Sequence, residues 1–297
     1  MKVMITGANG QLGRALYELL ASESKVTLIL TGSASSAKEA PFPIYPLDIT
    51  DREVVSSFVR EQNPDVIINC AAYTKVDLCE SNEAEALKIN GDGPRYLARS
   101  AKEVDAKLIH VSTDYVFDGK AKKPYIETDK TNPVSAYGRT KLAGEQAVME
   151  EWDKVFIVRT AWLYGDGKNF VKTMLSLADT HKELRVVNDQ YGTPTTTVEL
   201  ANMLWYLAKT EQYGIYHGTC EGSTTWYEFA KEIFRVFHKQ VIVHPVTSEE
   251  YNAKADRPEY SVLDNHKLNT ETDYRMKDWK EALLDYGKRY GEKGGEA

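Results

Sequence analysis

Long apolar runs are missing from this chain. The longest, such as DVIINCAAY over residues 65–73, fall far short of the ~20 apolar residues that a bilayer-spanning helix needs. The opening MKVMITGANG predicts a strand and a turn, not a signal peptide. Cysteine is scarce: Cys70, Cys79 and Cys220 form no C-x-x-C pair, which predicts free, buried thiols in a reducing cytoplasm. Positive charge is short, with 37 Lys and Arg against 44 Asp and Glu and a net charge of −7. A general nucleic-acid binder is therefore not expected, although local basic pockets for a small phosphorylated ligand remain open. The six histidines show no H-E-x-x-H or similar spacing, so no metal site is expected. No internal repeat or low-complexity segment is present.

What remains is a chain of 297 residues, 42% apolar and 27% charged. That is enough for a packed core in one large domain or two ordinary ones. The first half alternates two kinds of segment. Apolar runs lie at Val3–Thr6, Val26–Leu30, Val66–Cys70, Leu108–Ser112 and Phe156–Thr160, and helix-like stretches at Leu12–Ala21, Asp51–Gln62, Glu83–Val104 and Pro133–Glu151. Strands covered by helices on both faces read as continuous apolar runs, so the alternation predicts an α/β fold with a doubly wound parallel sheet of Rossmann type over residues 1–165. After Trp162 the pattern loosens. Residues 170–178, 196–209, 225–238 and 279–290 look helical, and YGIYHGT and VIVHPV look like strands. Residues 166–297 then form a smaller mixed α/β lobe for substrate, with the 196–209 helix returning to the first domain.

VMITGANGQLGRAL sets Gly7, Gly10 and Gly13 between the first predicted strand and helix. Glycine permits a tight turn and close approach of a phosphate to the backbone, and the helix N-terminus offers free N–H groups. The spacing is G-x-x-G-x-x-G and not the usual dinucleotide pattern, so a plain tight turn with close helix packing is the alternative. The second predicted strand ends in LTGSAS, with no acid to hold a ribose 2′-hydroxyl. Thr31, Ser33 and Ser35 are candidates for a 2′-phosphate, but no arginine is adjacent; NADP is plausible and NAD is not excluded. Asp48 is a candidate for an adenine amino group or, less well than Thr50 or Asp51, for a helix cap. Ala71 and Ala72 would let a flat cofactor cross a strand end, or simply pack closely.

SAYGRTK places Tyr137 four residues before Lys141, one turn apart on a helix whose start is expected at Asn132–Pro133. Ser112 and Thr113 sit at the carboxyl end of a strand, where open parallel sheets bind ligands. Free tyrosine has a pKa near ~10 and is a weak acid at neutral pH. A nearby ammonium would stabilise phenolate, and reaching ~7 needs about 4 kcal/mol. Tyr137 would then protonate a carbonyl oxygen as hydride arrives at the carbon, with Thr113 holding that oxygen.

TGANGQLG, STDYVF, YGRTK, RTAWLYG and NDQYGTPT, in this order, resemble the extended short-chain dehydrogenase/reductases. The resemblance runs from residue 1 to about residue 290 and includes TTWYEFA and DRPEYSVL. It is narrowest to members that reduce the C4 ketone of a 4-keto-6-deoxy sugar carried on dTDP. It implies Thr113, Tyr137 and Lys141 as the catalytic trio. The implied cofactor, NADP(H) or NAD(H), would be held by Gly7, Asn9, Gly10, Gln11, Leu12, Asp48, Ile49, Ala71, Ala72 and Tyr73 together with Tyr137 and Lys141. On the substrate side it implies Thr113, Tyr115 and Trp162 around the sugar, and Asn169, Phe170 and Arg257 near the nucleotide diphosphate. Three of these have a plainer alternative: Trp162 as core filler, Asn169 as a helix cap, Arg257 in a surface salt bridge. The resemblance also allows a homodimer, which no sequence feature requires.

Two rival readings follow from the same superfamily. One is a dehydratase or epimerase; dehydratases resembling this chain carry an Asp–Glu pair after the threonine to remove water, whereas Asp114 and Tyr115 stand there. A non-catalytic NADP-binding regulatory subunit would need the glycine turn but not the threonine, tyrosine and lysine that this chain keeps together.

Overall fold

The computed structural model describes residues 1–251 and 257–294. Its centre is a seven-stranded sheet in the order β11-β6-β5-β4-β1-β2-β3. These strands are β1 (Lys2–Thr6), β2 (Thr27–Gly32), β3 (Tyr45–Pro46), β4 (Val66–Asn69), β5 (Lys107–Thr113), β6 (Val155–Thr160) and β11 (Gly214–His217). All pairings in the sheet are parallel. The chain winds outward from β1 to β3, then crosses back to β4, so the switch point falls between β1 and β4. Ligand crevices open at such a point, beyond the carboxyl strand ends.

Alternate residues along each strand feed two apolar layers. Val3, Ile5, Ile68, Ile109 and Val158 face α1 (Gln11–Leu20) and α9 (Thr197–Ala208), meeting Leu12, Leu16, Leu200, Leu204 and Leu207. Met4, Ile67, Leu108 and Ile157 face the other way, onto α3 (Arg52–Gln62), α6 (Gly93–Glu103) and α7 (Ala136–Glu151), through Val55, Val59, Leu97, Ala98 and Val148. Each such side chain, fully buried, stabilises the fold by about 1.5–3 kcal/mol, which explains why the strands read as unbroken apolar runs. α9 thus packs on the sheet although it follows Trp162 in the chain.

The remaining elements surround a third cluster. It is built from Tyr164, Val171, Met174, Phe229, Ile233, Trp279, Leu283 and Tyr286. It draws on α8 (Phe170–Ala178), α10 (Trp226–Val236) and α13 (Trp279–Gly294). Short strand pairs frame it: β7 (Leu163–Tyr164) with β10 (Thr195–Thr196), β8 (Glu183–Val187) with β13 (Ile242–Val246), and β9 (Tyr191–Gly192) with β12 (Thr224–Thr225). The short helix α11 (Ser248–Tyr251) completes this part, while α12 (His266–Glu271) packs on β11, its Leu268 joining the core of the main sheet. No helix of the described residues is long and apolar enough to cross a membrane.

Two sequence expectations need correction. The segment Glu83–Val104 is not one helix: α5 (Glu83–Leu87), after the short α4 (Val76–Cys79), gives way to a π-helical turn at Lys88–Asp92 before α6. That turn swings the Asn90 amide out to the backbone of Tyr73 at 2.8 and 3.1 Å and to the Thr140 hydroxyl at 3.1 Å. Secondly, α7 starts at Ala136, not at Pro133. Ser135 is its cap, accepting from Gly138 N at 3.2 Å, while the Asn132 amide is turned to Asp118 at 3.4 Å. The residues after β2 form a short helix, α2 (Ala34–Glu39), capped by Ser33.

Candidate active site

One cavity of about 760 Å³ lies over the carboxyl ends of β1, β2, β4, β5 and β6. Its floor begins at the glycine turn. Gly7 has φ +63°, and a Cβ there would lie 2.8 Å from Ala71 N, so glycine is required both by the left-handed backbone and by the approach of β4. Gly13 lets α1 sit on the turn, since a Cβ would lie 2.5 Å from the Gly7 carbonyl oxygen. Gly10 is the N-cap of α1 without a capping side chain, which leaves the first N–H groups of the helix available to an anion. Under the turn, Asn69 accepts from the Thr6 hydroxyl at 2.6 Å and from Ala71 N at 3.2 Å, and its amide meets His110 Nδ1 at 2.9 Å. This buried network fixes Ala71. It was not visible as a motif, because its members come from three strands.

Gly7, Gly10, Gln11, Leu12, Asp48, Ile49, Ala71, Ala72, Tyr137 and Lys141 all line the cavity. Asn9 and Tyr73 are not part of its lining. Asn9 holds the turn together, donating to Ser36 O at 3.1 Å and accepting from Arg14 at 2.8 Å. Tyr73 is held through its backbone by Asn90. Asp48 accepts from Thr50 N at 2.9 Å, while Asp51 caps α3. At the end of β2, Thr31, Ser33 and Ser36 line the cavity. Thr31 is buried and donates to Ile5 O at 3.3 Å, and Ser35 bonds Ser33 at 3.1 Å.

Thr113 ends β5, and Tyr137 and Lys141 stand one turn apart on α7; all three face this cavity. Two glycines make that convergence possible. A Cβ at Gly138 would lie 2.1 Å from the Tyr115 carbonyl oxygen, and one at Gly144 2.1 Å from the Asn90 carbonyl oxygen, so α7 presses against both neighbours. Thr113 donates to Asp114 Oδ1 at 2.8 Å. Lys141, 2% exposed, donates to the Val111 carbonyl oxygen at 2.7 Å. Burial drives its pKa down to about 8, opposed by Glu145 and Cys70. The Tyr137 phenol is pushed up, first by burial and then by the Asp114 carboxylate, while a hydrogen bond with Thr113 pulls it back. The expected lowering toward neutrality is therefore corrected: burial and the Asp114 carboxylate raise the phenol, and the Lys141 ammonium is aimed at Val111. Asp114, buried, is raised to about 6, first by burial. Among the described residues, Asp114 Oδ2 and Thr160 Oγ1 are buried without a hydrogen-bond partner, and both residues line the cavity.

The substrate-side candidates divide. Tyr115 lines the cavity, edge-on to Tyr137 with centroids 5.5 Å apart. Trp162 also lines it, but both faces of its indole are covered. Trp226 stacks on it at 3.5 Å and 8° from parallel. A Cβ at Gly192 would fall 2.3 Å from Trp162 Cε2, and a ring 3.5 Å away leaves no room for backbone on the same side. Only the edge of Trp162 is presented. Its φ of 47° is a strained value for a bulky residue. Asn169 is the cap of α8, accepting from Lys172 N at 3.0 Å and donating to Gln11 Oε1 at 2.9 Å and Gly165 O at 2.7 Å. Phe170 packs on Trp226 and Phe229. Neither Asn169 nor Phe170 lines the cavity. Arg257 reaches Asp77 at 3.4 Å and hydrogen-bonds Tyr115, outside the lining. Trp226, absent from the sequence candidates, lines the cavity; its place in TTWYEFA offered no sign of its partner.

A glycine turn capped by a free helix N-terminus fits a dinucleotide diphosphate, and the partnerless Thr160 and Asp114 oxygens fit a polar ligand beside the trio. Fold and site together define a nicotinamide-dependent oxidoreductase of the extended short-chain dehydrogenase/reductase type. Comparison narrows this. Residues 1–291 match the family described as the RmlD substrate binding domain, and the chain belongs to that family. It is 49% identical to a dTDP-4-dehydrorhamnose reductase from Clostridium acetobutylicum, with a TM-score of 0.92 over 98% of this chain and 100% of that one. A dTDP-4-dehydrorhamnose reductase from Bacillus anthracis, solved in complex with NADP, is 42% identical with a TM-score of 0.88, covering 96% of this chain and 98% of that one. The enzyme of that name from Streptomyces griseus is 43% identical over 291 residues, 95% of this chain and 91% of the relative.

Proposed function

We propose that this protein reduces the C4 ketone of dTDP-4-dehydrorhamnose to give dTDP-L-rhamnose, using NADPH or NADH. The observation that carries the reading is the convergence of Thr113, Tyr137 and Lys141 on the cavity whose floor is the Gly7–Gly10 turn. The α1 N-terminus and the Gly7–Gly10 backbone would hold the cofactor diphosphate. Ser33 and Ser36, with no carboxylate at the end of β2, favour a ribose bearing a 2′-phosphate over a bare diol. When bound, the dihydronicotinamide supplies a hydride to the carbonyl carbon. Tyr137 gives its phenolic proton to the oxygen as the C=O π bond breaks. Burial keeps that phenol protonated, the state a donor needs. Thr113 holds the same oxygen by a second hydrogen bond, and Lys141 offsets the phenolate that remains. Residues 1–165, joined by α9 and by β11 at the sheet edge, then serve as the cofactor domain, and the rest of residues 166–297 as the substrate lobe, contributing Trp226. The three cysteines, all unpaired with Cys79 and Cys220 buried, suit a cytoplasmic setting.

Coupled turnover of authentic dTDP-4-dehydrorhamnose with NADPH and with NADH tests the assignment. Tyr137→Phe should lose at least about 100-fold in kcat, the usual size of a general-acid contribution, while its Kd for NADPH stays unchanged. Full activity in that variant would remove Tyr137 from the mechanism.

A further inference from the structure

Beneath the reactive edge lies an ion pair that touches neither cavity nor solvent. Glu145 and Arg159 have side chains 1% and 3% exposed. Arg159 clamps the carboxylate with Nη2 at 2.7 Å from Oε2 and Nε at 3.0 Å from Oε1, and the Ser112 hydroxyl donates to the same Oε1. Arg159 also lies over the Phe117 ring, 5.2 Å from its centroid. Such a pair is a poor source of stability, because taking two charges out of water offsets most of their attraction. Its position suggests another use. Glu145 is one turn beyond Lys141 on α7, so the two share a face, and Ser112 follows Val111, the acceptor of the Lys141 ammonium.

We propose that Glu145 is a positioning residue that acts through Lys141: clamped by Arg159 and Ser112, its carboxylate keeps the Lys141 ammonium charged and aimed along β5. This rests on the reading of Lys141 as part of the reacting group. The surroundings support it. Lys141 is faced by Tyr137 and Glu145 from its own helix, Cys70 from the end of β4, and His110 and Ser112 from β5. Arg159 on β6 lies behind Glu145, and Asp114 follows β5. The Cys70 thiol is pushed up to about 12 and His110 well down, both by burial, so both are neutral near pH 7. Asp114 acts on Tyr137. Glu80 and Glu83 turn to the outer side of α7, onto Ala136 N and Arg139. Among the described residues, Glu145 is the carboxylate that raises the Lys141 pKa against its desolvation.

The titration of Lys141 can be followed without substrate or cofactor by carbon NMR of protein labelled at the lysine Cε, the signal being assigned by its loss in Lys141→Met. In the parent protein one lysine should titrate near pH 8. Glu145→Gln should lower that midpoint by about one unit, a tenfold loss of proton affinity, and lower the alkaline limb of kcat by the same amount. Because Glu145→Gln strands the Arg159 charge, Glu145→Gln with Arg159→Met is the second variant, and its midpoint should fall as well. A midpoint within about 0.2 unit of the parent in the folded variants overturns the proposal and leaves the pair a purely structural one. An absent turnover with an intact midpoint shift would instead count against the reductase reading alone.

Discussion

Trp162 and Trp226 lie face to face, 3.5 Å between ring centroids and 8° from parallel, at the wall of the cavity that holds Tyr137. The stack joins two parts of the chain. Trp162 follows β6 of the main sheet, and Trp226 opens α10 of the C-terminal lobe. It also holds Trp162 in a left-handed backbone at φ 47°, a conformation that costs a non-glycine residue about 1–3 kcal/mol.

Removing the partner should release that strain and free one face of Trp162. Trp226→Ala is expected to destabilise the protein by about 3 kcal/mol through the lost aromatic contacts, and to raise KM for the sugar nucleotide while the Kd of NADPH stays unchanged. Trp226→Phe should restore most of the stability. Far-UV circular dichroism checks the stack directly: the coupled signal of two parallel indoles should vanish in Trp226→Ala. An unchanged signal and an unchanged KM would dissociate the stack from substrate binding.

Asp114 should imprint a pH dependence on stability. Its folded pKa of about 6 lies above the ordinary carboxyl value of 3.8 because of burial. The folded state therefore binds its proton more tightly than the unfolded chain does. Stability from this group is fully present below about pH 4 and is lost as pH rises through about 6, a total of about 3 kcal/mol. Asp114→Asn cannot titrate. Urea unfolding at pH 4, 5, 6 and 7 should show the variant gaining on the parent by up to that amount across the window, since the other titrating groups cancel in the difference. Parallel curves would show that Asp114 is solvated.

Much of the sheet was legible because its strands are buried on both faces, which forces apolar residues into every position of runs such as Val66–Cys70. Helix ends were legible where one local hydrogen bond sets them: Asn169 was a possible cap in the sequence, and α8 begins at Phe170. Where two local choices competed, the tertiary contact decided. Asn132 and Ser135 are both good caps, and Asn132 is drawn off by Asp118. The π-helical turn at Lys88–Asp92 was hidden because its cause, the bonding of Asn90 to Tyr73 and Thr140, lies at long range. The trio of Thr113, Tyr137 and Lys141 could be placed on one strand end and one helix face, but not the aim of Lys141 or the direction of the Tyr137 shift. Both depend on how dry the site is, which spacing does not encode.

Gly138 and Gly144 should tolerate no side chain. Each Cβ would meet a backbone carbonyl oxygen at 2.1 Å, so α7 would have to move away from Tyr115 or Asn90. Gly138→Ala and Gly144→Ala should each cost about 1–3 kcal/mol as overpacking, despite the helix propensity gained. At Gly32 the nearest atoms to an added Cβ lie at 3.4–3.6 Å, and Gly32→Ala should stay within about 0.5 kcal/mol of the parent. Denaturant midpoints of the three variants give the comparison. Equal midpoints would mean that α7 slides without cost.

Asn169 separates a structural from a substrate-binding role. Its Oδ1 caps α8 and its Nδ2 meets Gln11 Oε1, which also accepts from Gly165 N at 3.1 Å. The side chain is thus consumed by a joint between the glycine turn and α8. Asn169→Ala should lose about 1–2 kcal/mol of stability, as cap deletions do, and Asn169→Asp should recover only the cap, since the carboxylate still accepts from Lys172 N but its second oxygen faces the Gln11 and Gly165 oxygens that Nδ2 bonded. A group holding the substrate diphosphate would behave in the opposite way, because aspartate would repel the ligand and raise KM more than alanine does. Measuring urea midpoints and KM for both variants distinguishes the two. A KM that rises more for aspartate than for alanine returns Asn169 to the substrate site, and a KM that follows stability keeps it as the cap of α8.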